Sequence, residues 1–160
     1  MFGGRHPRRQ GDLGEAAAIE WLTRAGATVF VPLGHSLDCD PIAEWDAERF
    51  AVQVKTSSCF RKGRFDVTLA TRGGNQSWSG HVKKLDPSRC DYLFLLVADG
   101  RKWFIPMTAL DCRSHMALGG PKYAAFEVDR DGPDGRPTLH SSALQERLWG
   151  DARAVKGSRL

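Results

Sequence analysis

Three side chains in one short stretch have the types and spacing to do chemistry together: Asp40, Gln53 and Lys55. They lie in Asp40-Pro41-Ile42-Ala43-Glu44-Trp45 and in Phe50-Ala51-Val52-Gln53-Val54-Lys55. In the second segment Phe50, Val52 and Val54 alternate with Ala51, Gln53 and Lys55. That period of two sends the apolar set to one face of a strand and the polar set to the other. The polar run Asp46-Ala47-Glu48-Arg49 predicts a four-residue hairpin loop, with Trp45 opposite Phe50, Ala43 opposite Val52 and Asp40 opposite Lys55. Cross-strand partners share a face. One face then holds Pro41, Ala43, Trp45, Phe50, Val52 and Val54, and the other holds Asp40, Ile42, Glu44, Ala51, Gln53 and Lys55. A carboxylate, an amide oxygen and an ammonium gathered in this way suit metal-assisted cleavage of a phosphodiester. Asp40 and Gln53 supply the hard oxygens that Mg²⁺ prefers, and Mn²⁺ is the natural substitute. The cation lowers the pKa of a water and neutralises charge on the transition state. Lys55 can hold that water or a phosphate oxygen as a point charge.

These residues need elements to position them. Asp12 reads as an N-cap, Glu15 as the third helical residue and Gly26 as the stop; Ala18, Trp21, Leu22 and Ala25 make the buried stripe between. Glu15 falls at the edge of that stripe, where its carboxylate can lean toward a sheet. Thr28 to Val31 reads as a short buried strand, and Phe65 to Leu69 as another. Asp91–Ala98 and Lys102–Ile105 form a hairpin across Asp99-Gly100. Residues 71–80 are Gly/Ser/Asn-rich and read as a loop. A helical turn is predicted over Thr108–Met116, a strand over Tyr123–Val128 and a helix capped by Ser142 with Gln145.

Length and charge bound the rest. The chain of 160 residues is one domain long, and its net charge is only +4. The division expected is a flexible basic arm at 1–11, one α/β (α+β) domain at 12–128, and a partly disordered C-terminal extension at 129–160. The longest apolar run, Tyr92 to Ala98, is far too short to span a bilayer, and no signal peptide opens the chain. Cysteines 39, 59, 90 and 112 form no CxxC pair, which argues for reduced thiols in the cytoplasm.

The residues also resemble a known family. Gly11-Asp12-Leu13-Gly14-Glu15 opening a helix, then Asp40, then Gln53-Val54-Lys55-Thr56 are similar to the PD-(D/E)xK nuclease superfamily. The likeness is to its group I intron-associated, homing-type branch, in which glutamine commonly replaces the second acid. It continues in Val31-Pro32-Leu33-Gly34, Arg61-Lys62-Gly63, Asp91-Tyr92 and Trp103-Phe104-Ile105-Pro106, and covers about residues 11 to 110. The resemblance implies a restriction-endonuclease-like core with a mixed central β-sheet flanked by helices. It implies Mg²⁺-dependent hydrolysis leaving a 5′-phosphate, with Asp40 and Gln53 as metal ligands, Glu15 as an accessory acidic ligand and Lys55 orienting water or phosphate. Two departures stand out. Gln53 brings no charge, and Pro41 follows Asp40 where the family pattern has the reverse order.

Blander roles compete. Glu15 can be the capping-box partner of Asp12, and Asp40 with Lys55 an exposed ion pair worth under about 1 kcal/mol. Gln53 separates the readings, because a strand face built for solubility gains little from it. Between Cys59 and Leu85 stand six basic residues, Arg61, Lys62, Arg64, Arg72, Lys83 and Lys84, against one acid, Asp66, which fits a polyanion such as double-stranded DNA. The function expected is a Mg²⁺-dependent DNA endonuclease, homing- or restriction-like, acting as a homo-oligomer (dimer or tetramer) if it cuts both strands. A repair or Holliday-junction-type resolvase on the same core, or a catalytically silent nucleic-acid-binding module, are the alternatives.

Overall fold

The computed structural model describes residues 7–33, 40–72 and 82–128. Residues 1–6 of the expected arm, the 73–81 segment with His81, Asp38 and everything from 129 onward lie outside them. Among the described residues the order is α1 (Pro7–Arg24), β1 (Thr28–Phe30), β2 (Ile42–Trp45), β3 (Glu48–Ser57), β4 (Phe60–Arg61) and β5 (Arg64–Thr68). There follow β6 (Thr71–Arg72), β7 (Val82–Lys83), β8 (Tyr92–Val97), β9 (Lys102–Pro106), a 3₁₀ turn (Met107–Ala109), β10 (His115–Leu118), a second 3₁₀ turn (Pro121–Phe126) and β11 (Glu127–Val128).

The helix begins five residues before the predicted cap. Proline is tolerated at its start because first-turn N–H groups have no partner within a helix. Asp12 and Glu15 therefore sit inside the helix, and the capping-box reading of Glu15 falls. The end is as predicted. Gly26 is left-handed (φ 91°), Ala27 N–H donates to Leu22 O at 3.0 Å, and Gly26 N–H donates to Thr23 O at 3.0 Å. This is the paired closure that a C-terminal glycine permits.

β1, β2, β3, β8, β9 and β11 lie in that order in one sheet. β3 and β8 run parallel and the other neighbours antiparallel, so the sheet is mixed. The hairpin of β2 and β3 turns on two residues rather than four. Asp46 and Ala47 both take positive φ (48° and 68°), the conformation of a tight two-residue hairpin turn. Ala43 consequently faces Phe50 and Trp45 faces Glu48, a shift of two from the predicted register. Two is the strand period, so no residue changes face.

β8 is buried along its whole length, as a strand covered on both faces must be. On one face Ala18, Trp21 and Leu22 of α1 pack on Val52, Val54, Phe94 and Phe104; Tyr92 stacks on Phe104 with centroids 4.5 Å apart. On the other face Leu93, Leu95 and Ile105 pack on Phe65, Val67, Met116 and Leu118. Those four belong to a small sheet of order β10-β5-β4.

Three local expectations change. β1 is an exposed edge rather than a buried strand, with Phe30 43% and Val31 54% accessible. It has one neighbour and buries only part of Val29. The predicted helical turn at 108–116 is 3₁₀ only to Ala109, because Met116 and Leu118 are drawn into pairing with β5. The predicted strand at 123–128 is 3₁₀ up to Phe126, with Tyr123 buried, and only Glu127 and Val128 pair with β9. Among the described residues no helix is long and apolar enough to cross a membrane.

Gly14 sets how closely α1 approaches β3. A Cβ there would stand 2.3 Å from Thr56 Cγ2 and 3.2 Å from Val54 Cγ1, whereas a Cβ at Gly11 would meet nothing within 4 Å. Gly14→Ala is expected to lower the unfolding free energy by about 1–3 kcal/mol, since the β-branched Thr56 cannot yield cheaply. Gly11→Ala should raise it by up to about 1 kcal/mol. Urea unfolding of both variants checks the contrast.

Candidate functional site

Pro41 has no N–H to give to the ladder between β2 and β3. Val52 N–H donates to Pro41 O at 2.9 Å, but Val52 O accepts from Asp40 N–H at 3.0 Å. Two residues thus face one, which is a bulge, and bulges re-aim side chains. The side chain re-aimed is that of Asp40. Its Oδ2 accepts the Val54 N–H at 2.7 Å and the Gln53 Nε2–H at 2.7 Å. An ionised carboxylate only accepts hydrogen bonds, so it is the amide nitrogen of Gln53 that faces Asp40. Oδ1 of Asp40 and the amide oxygen of Gln53 are then the atoms available to a cation.

The predicted juxtaposition of Asp40 with Gln53 and Lys55 is present, though Asp40 is anchored at Val52–Val54 rather than opposite Lys55. Gln53 and Lys55 share the face of β3 opposite to Val52 and Val54, and both are half-buried. Burial pushes the Asp40 carboxyl above its ordinary pKa, while the Val54 N–H, the Lys55 ammonium and the Gln53 amide pull it back down. Burial likewise pushes Lys55 below the usual lysine range, opposed by Asp40 and by Cys90. Each charge is disfavoured by its surroundings and supported by the other.

Gln53 and Lys55 open into a cleft lined also by Lys83, Lys84, Asp86, Arg89 and Cys90. Lys83 and Lys84 are exposed, so two of the six predicted basic residues stand at the same opening as the candidate site. Arg61, Lys62 and Arg64 lie elsewhere, exposed on the β4–β5 hairpin. The backbone of Arg72 belongs to β6, and its side chain lies outside the described residues. Glu15 is exposed on α1, next to the contact of Gly14 with Thr56 and Val54. α1 covers the face of β3 opposite to Gln53 and Lys55, so Glu15 belongs to an element on the other side of the strand from them. Glu44 pairs with Arg49 at 2.6 Å and belongs to the hairpin rather than the site.

The roles of two further residues are not given by the sequence. Arg89 lines the cleft, but it falls just beyond the basic run that ends at Lys84. Asp91 clamps β3 to β8: its Oδ2 accepts the Ala51 N–H at 2.8 Å and its own N–H donates to Ala51 O at 2.8 Å. Its sequence signals are its place at the start of an apolar strand and the Asp91-Tyr92 likeness, and neither gives the clamp.

A hydrated Mg²⁺ fits this donor set. Asp40 Oδ1 and the Gln53 amide oxygen are hard oxygen donors of the kind this ion prefers. Mg²⁺ typically takes one or two protein oxygens and leaves its other positions to water and substrate phosphate. A positive ion would also offset the burial cost on Asp40.

Residues 5–118 match the family model described as PD-(D/E)XK endonuclease. Among solved structures, a bacterial homing endonuclease, I-Ssp6803I, superposes with a TM-score of 0.67 at 20% identity, covering 96% of this chain and 100% of that one. At that identity the likeness is one of fold, and together with the family match it bears out the expected restriction-endonuclease-like core with a mixed central sheet. No curated protein matches the sequence.

The pKa directions predict how the site weighs on stability. Asp40 has a folded-state pKa above its unfolded one, so its contribution is fullest at low pH and is lost as pH rises through the raised value. Asn at this position still accepts the Val54 N–H and carries no charge. The urea midpoint of Asp40→Asn relative to wild type, measured without divalent cations, should therefore improve from about pH 4 to about pH 8. A relative midpoint that worsens over that range would contradict the burial argument.

Proposed function

The chain belongs to the PD-(D/E)XK endonuclease family, and on that premise we propose that it is a Mg²⁺-dependent endonuclease hydrolysing phosphodiester bonds of double-stranded DNA. The observation that carries the reading is the Asp40–Gln53–Lys55 cluster at the mouth of a basic cleft. Oδ1 of Asp40 and the amide oxygen of Gln53 would hold the cation, with Glu15 as an accessory ligand from the helix. Such a cation supplies Lewis acidity, acidifying water and neutralising charge that builds on the phosphate.

The protein's own groups do the positioning. The Val54 N–H and the Gln53 amide fix one carboxylate oxygen of Asp40 and thereby orient the other. Lys55, half-buried and partly stripped of water, meets a phosphate oxygen or the attacking water as a point charge that solvent screens little. Lys83, Lys84 and Arg89 around the cleft attract and seat the phosphate backbone. In the reaction a water oxygen bonds to phosphorus and the bond to the 3′ oxygen breaks. The products carry a 5′-phosphate and a 3′-hydroxyl.

One such site cuts one strand, so double-strand cleavage calls for a dimer or tetramer, in keeping with a two-fold symmetric duplex. The spacing of the four cysteines, with no CxxC pair, supports a cytoplasmic setting.

Cleavage of duplex DNA in Mg²⁺ should fall by about 100-fold or more in Asp40→Ala and in Lys55→Ala, and by less in Glu15→Gln. EDTA should abolish it, and Mn²⁺ should restore it. Cutting by Asp40→Ala and Lys55→Ala at the wild-type rate would remove these residues from the site. A wild-type chain that binds duplex DNA but never cuts it in Mg²⁺ or Mn²⁺ would reduce the protein to a binding module.

A further inference from the structure

The small sheet beyond β3 has two unlike faces. Phe65 and Val67 of β5 and Met116 and Leu118 of β10 point into the second core. Their neighbours pair as Arg61 with Arg64, Asp66 with Ala117 and Thr68 with His115, so these six share the outward face. Arg61, Arg64, Thr68 and His115 are exposed.

Two features of this face are costly in the isolated protein. Arg61 and Arg64 are direct cross-strand partners, an arrangement in which like charges repel. The tip that joins them, Lys62 and Gly63, is left-handed at both residues (φ 49° and 78°). Glycine adopts that conformation freely and lysine does not. The cost goes into a tight turn that holds three cations around a shallow concavity lined by Arg61, Lys62, Arg64, Asp66 and Ala117. A polyanion seated there would relieve the repulsion.

The hairpin is also fastened to the strand that carries the candidate site. Asp66 N–H donates to Cys59 O at 2.8 Å, Cys59 N–H donates to Ser57 Oγ at 3.1 Å, and Ser57 Oγ–H donates to Asp66 O. Ser57 is the last residue of β3 and is buried. The outward face therefore moves with Gln53 and Lys55 as one piece. On its far side the Arg64 guanidinium rests against Gly120, where a Cβ would come within 3.1 Å.

We propose that the outward face of β4 and β5 is a base-reading surface: the ribbon enters the major groove of duplex DNA, and Arg61 and Arg64 read guanine edges beside the cut. The major groove admits a two-stranded ribbon, and the planar guanidinium fork matches guanine O6 and N7 in a way that a lysine ammonium cannot. Six residues of chain separate Lys55 from Arg61, at most about 20 Å when extended, which is about six base pairs of duplex rise. With side-chain reach added, the bases read lie within about eight base pairs of the scissile phosphate.

The inference rests on the reading of the chain as a DNA endonuclease, and binding rather than cutting tests it. The full chain is incubated without divalent metal with a randomised duplex library, and the bound fraction is sequenced. The wild type should enrich guanine at one or two positions. Arg61→Ala and Arg64→Ala should each flatten a position by about 5- to 150-fold. Arg61→Lys and Arg64→Lys, which keep the charge but not the fork, should flatten the same positions while total affinity stays within about threefold. A wild type with no base preference, or lysine variants that keep the full wild-type preference, overturns the proposal. A chain that binds with this preference yet never cuts in Mg²⁺ overturns the nuclease reading and leaves the base-reading surface supported.

Discussion

The N–H that Pro41 lacks sets the geometry of the whole site. Because proline cannot donate to Val52 O, Asp40 N–H does so, and the strand bulges at the residue that carries the carboxylate. That carboxylate then accepts the Val54 N–H, the next backbone donor along β3 on that side. A charged side chain stands where a regular ladder would place a backbone carbonyl. Hydrogen bonds to an ionised acceptor are roughly twice as strong as neutral ones, which holds Asp40 in place against the desolvation that raises its pKa. In the family pattern the proline precedes the acid; here it follows, and the bulge is its local consequence.

β3 makes the arrangement useful by changing partners along its length. Near the turn it pairs antiparallel with β2, and from Val52 onward it pairs parallel with β8. Beyond the pairing with β2, the Asp40 carboxylate meets the same edge of β3. The two faces of β3 then divide the labour. Val52 and Val54 anchor it to the helix-side core, while Gln53 and Lys55 look into the basic cleft. Asp91 holds the parallel pairing in register from the start of β8. Chemistry on one face is thus positioned by hydrophobic packing on the other, and α1 contributes chiefly through the close approach that Gly14 allows. The hairpin of β4 and β5 follows the same strand, and hydrogen bonds through Ser57 and Cys59 tie its Arg61 and Arg64 to the strand that carries Gln53 and Lys55.

Some of this was plain in the residues. The helical stripe of Ala18, Trp21, Leu22 and Ala25, the glycine stop at 26 and the Asp99-Gly100 hairpin are all local signals, and each appears in the structure. The hairpin register was misread by two because Asp46 and Ala47 make the turn alone. Alanine at positive φ is not a turn signal that composition offers. The helix start was misread because Asp12 and Glu15 imitate a capping box inside a helix that runs on from Pro7. Residues 108–128 were misread because pairing with β5 and β9 overrides local preference there.

Strand periodicity already committed Gln53 and Lys55 to one face and Val52 and Val54 to the other, and an error of two in register could not undo this, since side-chain direction repeats every two residues. The juxtaposition of Asp40, Gln53 and Lys55 was therefore legible from one dimension. The cleft was not. Lys83, Lys84 and Arg89 meet Gln53 and Lys55 only because β8 returns beside β3 in parallel and carries the preceding segment with it. Nor could spacing reveal that the Asp40 carboxylate would replace a ladder carbonyl, or that Arg61 and Arg64 would stand directly opposed on a face fastened to Ser57. The cleft depends on contacts between segments far apart in the chain. The other two features follow from the bulge at Pro41 and the left-handed turn at Lys62 and Gly63, backbone details that composition does not signal.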